Sequence, residues 1–177
     1  MSPAQLGDAA GASKPASSSS SSATKAKPPA KPQPTVVQRI VEEAHSLLGI
    51  HEVPPGSNQG PDVRRIQSAT GAYGAPWCVS TVQYIVRAVT GKTIADDTAN
   101  VYYLASYAGS HGWVKPRPVN AGPVCYHVGA GHAGTVVQVL DQWRFYAVEG
   151  NEADAVRLML RDSRSIPCTF MQPPYLD

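Results

Sequence analysis

The sequence predicts an α+β domain in which helices come first and a small antiparallel sheet follows. Two segments, one starting near Thr35 and one at Cys78, carry apolar residues at the spacing of an amphipathic helix. After Ala121 the pattern changes to short apolar runs separated by turn-forming residues, which is typical of strands. We therefore expect amino-terminal helices packed on a sheet built by the second half of the chain.

Length and composition provide for one hydrophobic core. The chain has 177 residues, 42% of them hydrophobic, enough for one ordinary domain or for a smaller domain with a tail. A formal charge of +2 gives no concentrated basic surface, so we expect no nucleic-acid partner. The three cysteines, Cys78, Cys125 and Cys168, are too few and too widely spaced for a disulfide framework or a paired-cysteine zinc site.

Residues 1–34 differ in composition from the rest of the chain. Ser, Ala, Pro and Lys dominate, with an unbroken serine run at 17–22. Such a segment cannot bury enough apolar surface to offset the entropy of ordering it, so we predict a disordered tail or linker and a domain at 35–177. It also lacks the apolar stretch of roughly 7 to 15 residues that a signal peptide needs, and no segment could span a bilayer.

Four helices are expected before the sheet. Apolar periodicity, Pro near a helix start and Gly at a helix end define them. Between the first two, residues 51–60 are rich in Pro, Gly and Asn and predict a loop. The expected helices are 36–48, capped by Thr35 and ended by Gly49; Pro61 to near Gly71; Cys78 to near Gly91; and about Asp97–Tyr107.

Three or four strands are expected to follow. Apolar and β-branched residues form short runs, and the pair Asp141 and Gln142 makes a compact connection between two of them. Those two strands should be antiparallel neighbours. The expected strands are Pro123–Val128, Ala133–Leu140, Trp143–Val148 and Arg157–Arg161.

Cys78 occupies the position where the third helix is expected to begin. A helix amino terminus presents unpaired N–H groups and a partial positive charge, which favour a thiolate and can hold an oxyanion. The alternative is that Cys78 is a small buried core residue, as most free cysteines are. Position alone does not decide between these interpretations.

His132 is the best candidate for the base. It starts one strand while Glu149 ends the next, so both should lie at the same edge of a hairpin. His127 is also close, but His132 is flanked by Gly131 and Gly134, which would let a substrate approach the backbone.

A cysteine on a helix tip, a histidine and a third polar group are the components of nucleophilic catalysis on an amide. We expect Cys78 to attack and His132 to act as its base. Either Glu149 or Asn151 would orient the imidazole, and the sequence leaves that choice open.

Four short motifs resemble those of the CHAP domains, the cysteine, histidine-dependent amidohydrolases/peptidases of phage lysins and bacterial wall hydrolases. The resemblance covers most of the chain after the tail. It runs through Gly56-Ser57-Asn58-Gln59-Gly60-Pro61, Gly74-Ala75-Pro76-Trp77-Cys78, Gly129-Ala130-Gly131-His132-Ala133-Gly134 and Glu149-Gly150-Asn151.

This resemblance implies a papain-like (NlpC/CHAP-like) fold and a reaction. The family cleaves amide bonds of peptidoglycan, as an N-acetylmuramoyl-L-alanine amidase or as an endopeptidase of the stem peptide or cross-bridge. Cys78 would be the nucleophile, His132 the base and Glu149 the orienting acid, with Asn151 in the same polar cluster. The residues expected to line the substrate cleft are Asn58, Trp77, His111, Trp113 and Gly131.

We expect neither a cofactor nor a metal, because Asp62, Asp96 and Asp97 are too scattered to form the calcium cluster of some relatives. The expected partner is bacterial peptidoglycan, and the expected state is a monomer. Synthesis in the cytoplasm would be followed by delivery to the wall through a holin, a virion or an injection apparatus.

Two other functions stay open. The domain could be a catalytically silent wall-binding or virion component, or it could be an intracellular amidase or protease. Retention of both the cysteine and the histidine favours an active enzyme over a silent one.

Overall fold

The computed structural model describes residues 32–177, and the folded unit spans Gln33–Asp177. Most of the predicted disordered tail, residues 1–31, lies outside the described residues. The described part is a mixed α+β fold with four α-helices and a six-stranded antiparallel sheet. The elements are α1 Val36–Ser46, α2 Pro61–Gln67, α3 Cys78–Thr90, α4 Val101–Ser110, β1 Val114–Lys115, β2 Pro123–Tyr126, β3 His132–Val139, β4 Arg144–Glu152, β5 Ala155–Asp162 and β6 Cys168–Met171, with a final 3-10 turn at Pro174–Leu176.

The first helix begins where the sequence predicts it. The Thr35 hydroxyl accepts a hydrogen bond from the Gln38 backbone N–H, and the Gln38 side chain accepts one from the Thr35 N–H, which completes a capping box. Ile40 and Ala44 point one face of α1 into the core. The helix therefore has both the local signal and the buried face that stabilise it.

Helix α3 starts at Cys78 and ends against Gly91, which adopts the left-handed conformation at φ 71°. Most of its first eight residues are buried, including polar Ser80, Thr81 and Gln83. α3 is thus enclosed between α1 and the strands β3 and β4. Burial on several sides holds its amino terminus in place.

The sheet order is β1-β6-β2-β3-β4-β5, and every neighbouring pair is antiparallel. The predicted hairpin of β3 and β4 is confirmed, with Thr135 opposite Val148. β1 and β6 have no counterpart in the sequence prediction. β1 has only two residues, and β6 has four beside a proline, so neither gives a readable alternation.

The predicted start of α4 at Asp97 is wrong. Ala95, Asp96 and Asp97 all have positive φ angles, of 52°, 53° and 60°, which a right-handed helix cannot contain. Asn100 instead caps the helix, because its side chain accepts a hydrogen bond from the Tyr103 N–H at 2.9 Å. Helix α4 therefore begins at Val101.

The core lies mainly between the helices and one face of the sheet. A smaller cluster on the other face includes Tyr126, Phe145 and Phe170. No helix within residues 32–177 is both long enough and apolar enough to cross a bilayer.

Gly150 marks the closest approach of β4 to α3. A Cβ atom at this position would collide with the Thr81 hydroxyl and would lie 2.7 Å from Thr81 Cβ and 3.0 Å from the Trp77 ring. Only glycine fits between strand and helix here, so the sheet and the helix that carries Cys78 are in direct contact.

Candidate active site

Cys78 lies at the amino terminus of α3 and is 7% exposed. The preceding residue, Trp77, has φ −120° and ψ 19°, and within residues 32–177 no side chain caps the helix. The backbone N–H groups of the first turn therefore remain available to a developing oxyanion.

His132 and Glu149 form a direct contact, with 3.0 Å between His132 Nε2 and Glu149 Oε2. The strand register explains it, because His132 begins β3 and Glu149 lies in the adjacent β4. With Nε2 directed to the carboxylate, Nδ1 is the imidazole nitrogen left to exchange a proton with a thiol.

The surroundings of His132 favour its charged form. Burial lowers the pKa of this imidazole, but hydrogen bonds to Cys78 and to Glu149, together with their negative charge, outweigh it and raise the pKa to about 9. These contacts therefore favour the imidazolium over the neutral ring. The imidazolium is the proton donor that a leaving amine requires.

Glu149 is completely buried and accepts four hydrogen bonds. Oε1 accepts from the Tyr126 hydroxyl at 2.7 Å and from Arg161 Nε at 2.9 Å, while Oε2 accepts from His132 and from Arg161 Nη2. Burial raises the pKa of this carboxyl, but the hydrogen bonds from Arg161, His132 and Tyr126 lower it below its usual range. Glu149 is thus held as a carboxylate in one orientation.

Arg161 and Tyr126 are site residues that sequence reasoning missed. Arg161 lies twelve residues from Glu149 in the chain and opposite Phe145 in the strand register, so only its long side chain brings it to the carboxylate. Contact with Glu149 raises the pKa of Arg161, and burial beside the carboxylate raises that of Tyr126. Neither residue belongs to a short motif that could have identified it.

Glu152 extends the same cluster. Its Oε2 lies 3.4 Å from His132 Nε2 and 3.1 Å from Arg161 Nη2. The ligating atoms of His132, Glu149 and Glu152 lie within 4.8 Å of one another, a spacing that a divalent cation could use. However, the guanidinium of Arg161 contacts both carboxylates, so a cation would have to compete with a charge already in place.

Asn151, the other candidate for orienting the imidazole, contacts a different residue. Its amide Nδ2 donates to Asn58 Oδ1 at 3.3 Å. Of the two candidates for orienting the imidazole, Glu149 is the one that contacts His132, at 3.0 Å from Nε2. The pair of Asn58 and Asn151 instead ties the loop before α2 to the end of β4.

Trp77 is fully buried, and its indole N–H donates to Glu52 Oε1 at 2.9 Å. The other oxygen of Glu52 accepts from the Asn58 backbone N–H at 2.8 Å. Trp77 therefore lies in the core beneath the helix, and no part of its surface is open to a substrate. Glu52 is a second buried carboxylate, and no sequence motif identifies it.

His111 and Trp113 form a separate aromatic cluster. The His111 ring stacks on Tyr107 with centroids 4.0 Å apart, and Trp113 follows at 4.8 Å from His111. Neither lines the cavity next to Cys78. His127 is also apart from the site, since its Nε2 contacts the Thr169 hydroxyl at 2.8 Å.

A cavity of about 210 Å³ opens beside Cys78. Gly131 lines it, with φ 89°, and a Cβ there would lie 2.9 Å from Val101 Cβ. Of the five residues expected in the cleft, Gly131 is the one that lines this cavity. The lining includes Ala75, Pro76, Cys78, Asn100, Val101 and Gly131.

Comparison of the chain with protein-family models, with curated proteins and with solved structures finds no match. The chemistry must therefore be inferred from the side chains and the cavity themselves.

Proposed function

We propose that the protein is a peptidoglycan hydrolase that cleaves an amide bond with Cys78 as its nucleophile. The observation that carries this proposal is the His132–Glu149 contact of 3.0 Å, beside a cysteine that begins a helix. The papain-like fold and the CHAP type are part of the same proposal. Support for both comes from the four motifs and from helices packed on an antiparallel sheet.

In the proposed reaction the Cys78 thiol passes its proton to His132, and the resulting thiolate attacks the amide carbonyl. The first-turn N–H groups of α3 stabilise the oxyanion, and His132 gives its proton to the leaving amine. Water then attacks the acyl-enzyme, with His132 accepting a proton, and the carboxylate product leaves. Glu149 keeps the imidazole oriented and balances its charge throughout.

Peptidoglycan is supported by the motifs alone, and the bond is either the one between the lactyl group and the first alanine or one within the stem peptide or cross-bridge. Action at the bacterial wall, after delivery by a holin, a virion or an injection apparatus, belongs to the same proposal.

The test uses isolated bacterial walls and three proteins. We expect wild-type protein to reduce wall turbidity, Cys78→Ala to lose this activity, and Cys168→Ala to retain it as the matched control. Cys168 is partly buried on β6, where it lies opposite Tyr126, so strand β2 separates it from His132. Equal clearing by Cys78→Ala would refute the mechanism.

Mass spectrometry of the released fragments identifies the bond. An amidase separates sugar from peptide, whereas an endopeptidase exposes a new amino group within the peptide. If wild-type protein binds walls but releases no fragment under any condition, the silent wall-binding function replaces the proposal.

A further inference from the structure

A second cavity adjoins the one beside Cys78. It encloses about 380 Å³ between α2 and the loop at residues 73–74. Gly74 lines this cavity, while the next two residues, Ala75 and Pro76, line the cavity of the nucleophile. Since consecutive Cα atoms lie about 3.8 Å apart, a single peptide unit separates the two linings.

Arg64 supplies the charge of this second cavity. It is the one charged residue among those that line it, which include Gln59, Gln67 and Tyr73. The guanidinium carbon lies 4.5 Å from the centroid of the Tyr73 ring. Within residues 32–177 the guanidinium has no salt bridge and no side-chain hydrogen bond, so its N–H groups are available to a ligand.

A guanidinium that stacks on an aromatic ring is oriented to bind a planar anion. The face of the group rests on the aromatic ring, which leaves the N–H edge to form paired hydrogen bonds with a carboxylate. Arg65, the next residue, contrasts with it because its guanidinium contacts Tyr84 and Asp62. Among the described residues, Arg65 is therefore already paired with a carboxylate, whereas Arg64 is not.

Gln67 makes the cavity rigid. Its side chain is 1% exposed, and its Nε2 donates to the backbone oxygens of Asn58 at 3.1 Å and Ala75 at 2.9 Å. Its Oε1 accepts from the Gly74 N–H at 3.3 Å. One buried amide thus joins helix α2 to the loops that form the walls, so the backbone that carries Arg64 is held against the loop before Cys78.

We propose that this cavity, formed by Gln59, Arg64, Gln67 and Tyr73, is a substrate subsite for a carboxylate. The carboxylate would be carried by the peptide one or two residues from the scissile amide. This inference rests on the proposed function, because it assumes that an amide substrate lies at Cys78. It adds a chemical class of substrate, an acidic peptide, which the catalytic residues do not specify.

Two matched peptide substrates test the proposal, identical except that one side-chain carboxylate is replaced by a carboxamide. Wild-type protein should have a KM about tenfold lower for the carboxylate form, as expected for a charge-assisted pair. Arg64→Gln should abolish this preference by raising the KM of the carboxylate form, with kcat unchanged. Arg64→Lys should retain part of it, and Arg65→Gln should behave as wild type.

An unchanged preference in Arg64→Gln would overturn the subsite while leaving the hydrolase intact. If neither peptide is cleaved, the α-amides of N-acetylglutamate and of N-acetylglutamine, which differ in having one carboxylate or none, serve as binding probes for Cys78→Ala protein. NMR shifts of the Tyr73 ring that require both the carboxylate and Arg64 would support the subsite even though the hydrolase had failed. Equal shifts with both probes, or none, would refute it.

Discussion

Two buried carboxylates serve the candidate site in different ways. Glu149 is completely buried and receives hydrogen bonds from a guanidinium, an imidazole and a phenol, two of which can carry charge. Glu52 is 2% exposed and receives bonds from neutral donors, the Trp77 indole and the Asn58 backbone. Glu149 thus acts on a titrating group, whereas Glu52 joins a loop to Trp77, the residue before Cys78.

Substitutions of the two carboxylates should therefore change different properties of the protein. Loss of Glu149 should change catalysis and its pH dependence. Loss of Glu52 should reduce stability and leave the pH dependence of the remaining activity alone.

Glu149→Gln should have the largest effect. The amide keeps the shape but removes the charge that stabilises the His132 imidazolium, so we expect kcat on wall fragments to fall by roughly 10²- to 10⁴-fold. Glu52→Gln is the matched control and should retain most of the activity of the wild type. Similar losses of kcat in the two variants would mean that Glu149 and Glu52 do not differ in their effect on catalysis.

Arg161→Met tests what the charged partner contributes. It leaves the buried Glu149 carboxylate without its cation, which should lower the free energy of unfolding by about 3 kcal/mol in a denaturant titration. Arg161→Lys restores the charge without the bidentate contact, so we expect its free energy of unfolding to lie between those of the wild type and Arg161→Met. A Met variant as stable as wild type would mean that His132 and Tyr126 suffice to hold Glu149.

Glu52→Ala should destabilise the fold by about 2 kcal/mol, because the Trp77 indole and the Asn58 N–H both lose a buried acceptor. Thermal and denaturant unfolding measure the change. The alkaline limb of the remaining activity should stay where it is in the wild type. A displaced limb would show that Glu52 also influences the imidazole.

The smallest effect concerns pH. Because the folded pKa of His132, about 9, exceeds the ordinary value of 6.5, its contribution to stability is complete below about pH 6.5 and is lost as the pH rises through 9. Cys78→Ala removes one of the groups that raise this pKa, so NMR titration of the imidazole should give a lower value. An unchanged pKa would mean that Glu149 alone sustains it.

Much of the architecture was predictable because it rests on local signals. Thr35 caps α1, Gly91 ends α3, and the Asp141-Gln142 connection pairs β3 with β4. Each signal acts within a few residues. The start of α4 was missed because three left-handed residues precede it, a conformation that Ala95 gives no reason to expect.

The candidate site likewise contains one contact that the sequence predicts and others that it does not. The contact between His132 and Glu149 follows from a hairpin, so it could be predicted from the chain order. Arg161 reaches Glu149 through side-chain length, and Glu52 meets Trp77 across twenty-five residues of chain. Such contacts depend on tertiary packing, which periodicity does not report.

Gly150 follows Glu149 in β4 and contacts the helix that begins at Cys78. Because Gly150 has no side chain, β4 and α3 can pack closely, and this spacing sets the distance between the Cys78 sulfur and the imidazole. A methyl group at this position would work as a wedge between strand and helix. A chain altered there could keep every chemical group of the site and still hold them too far apart for proton transfer.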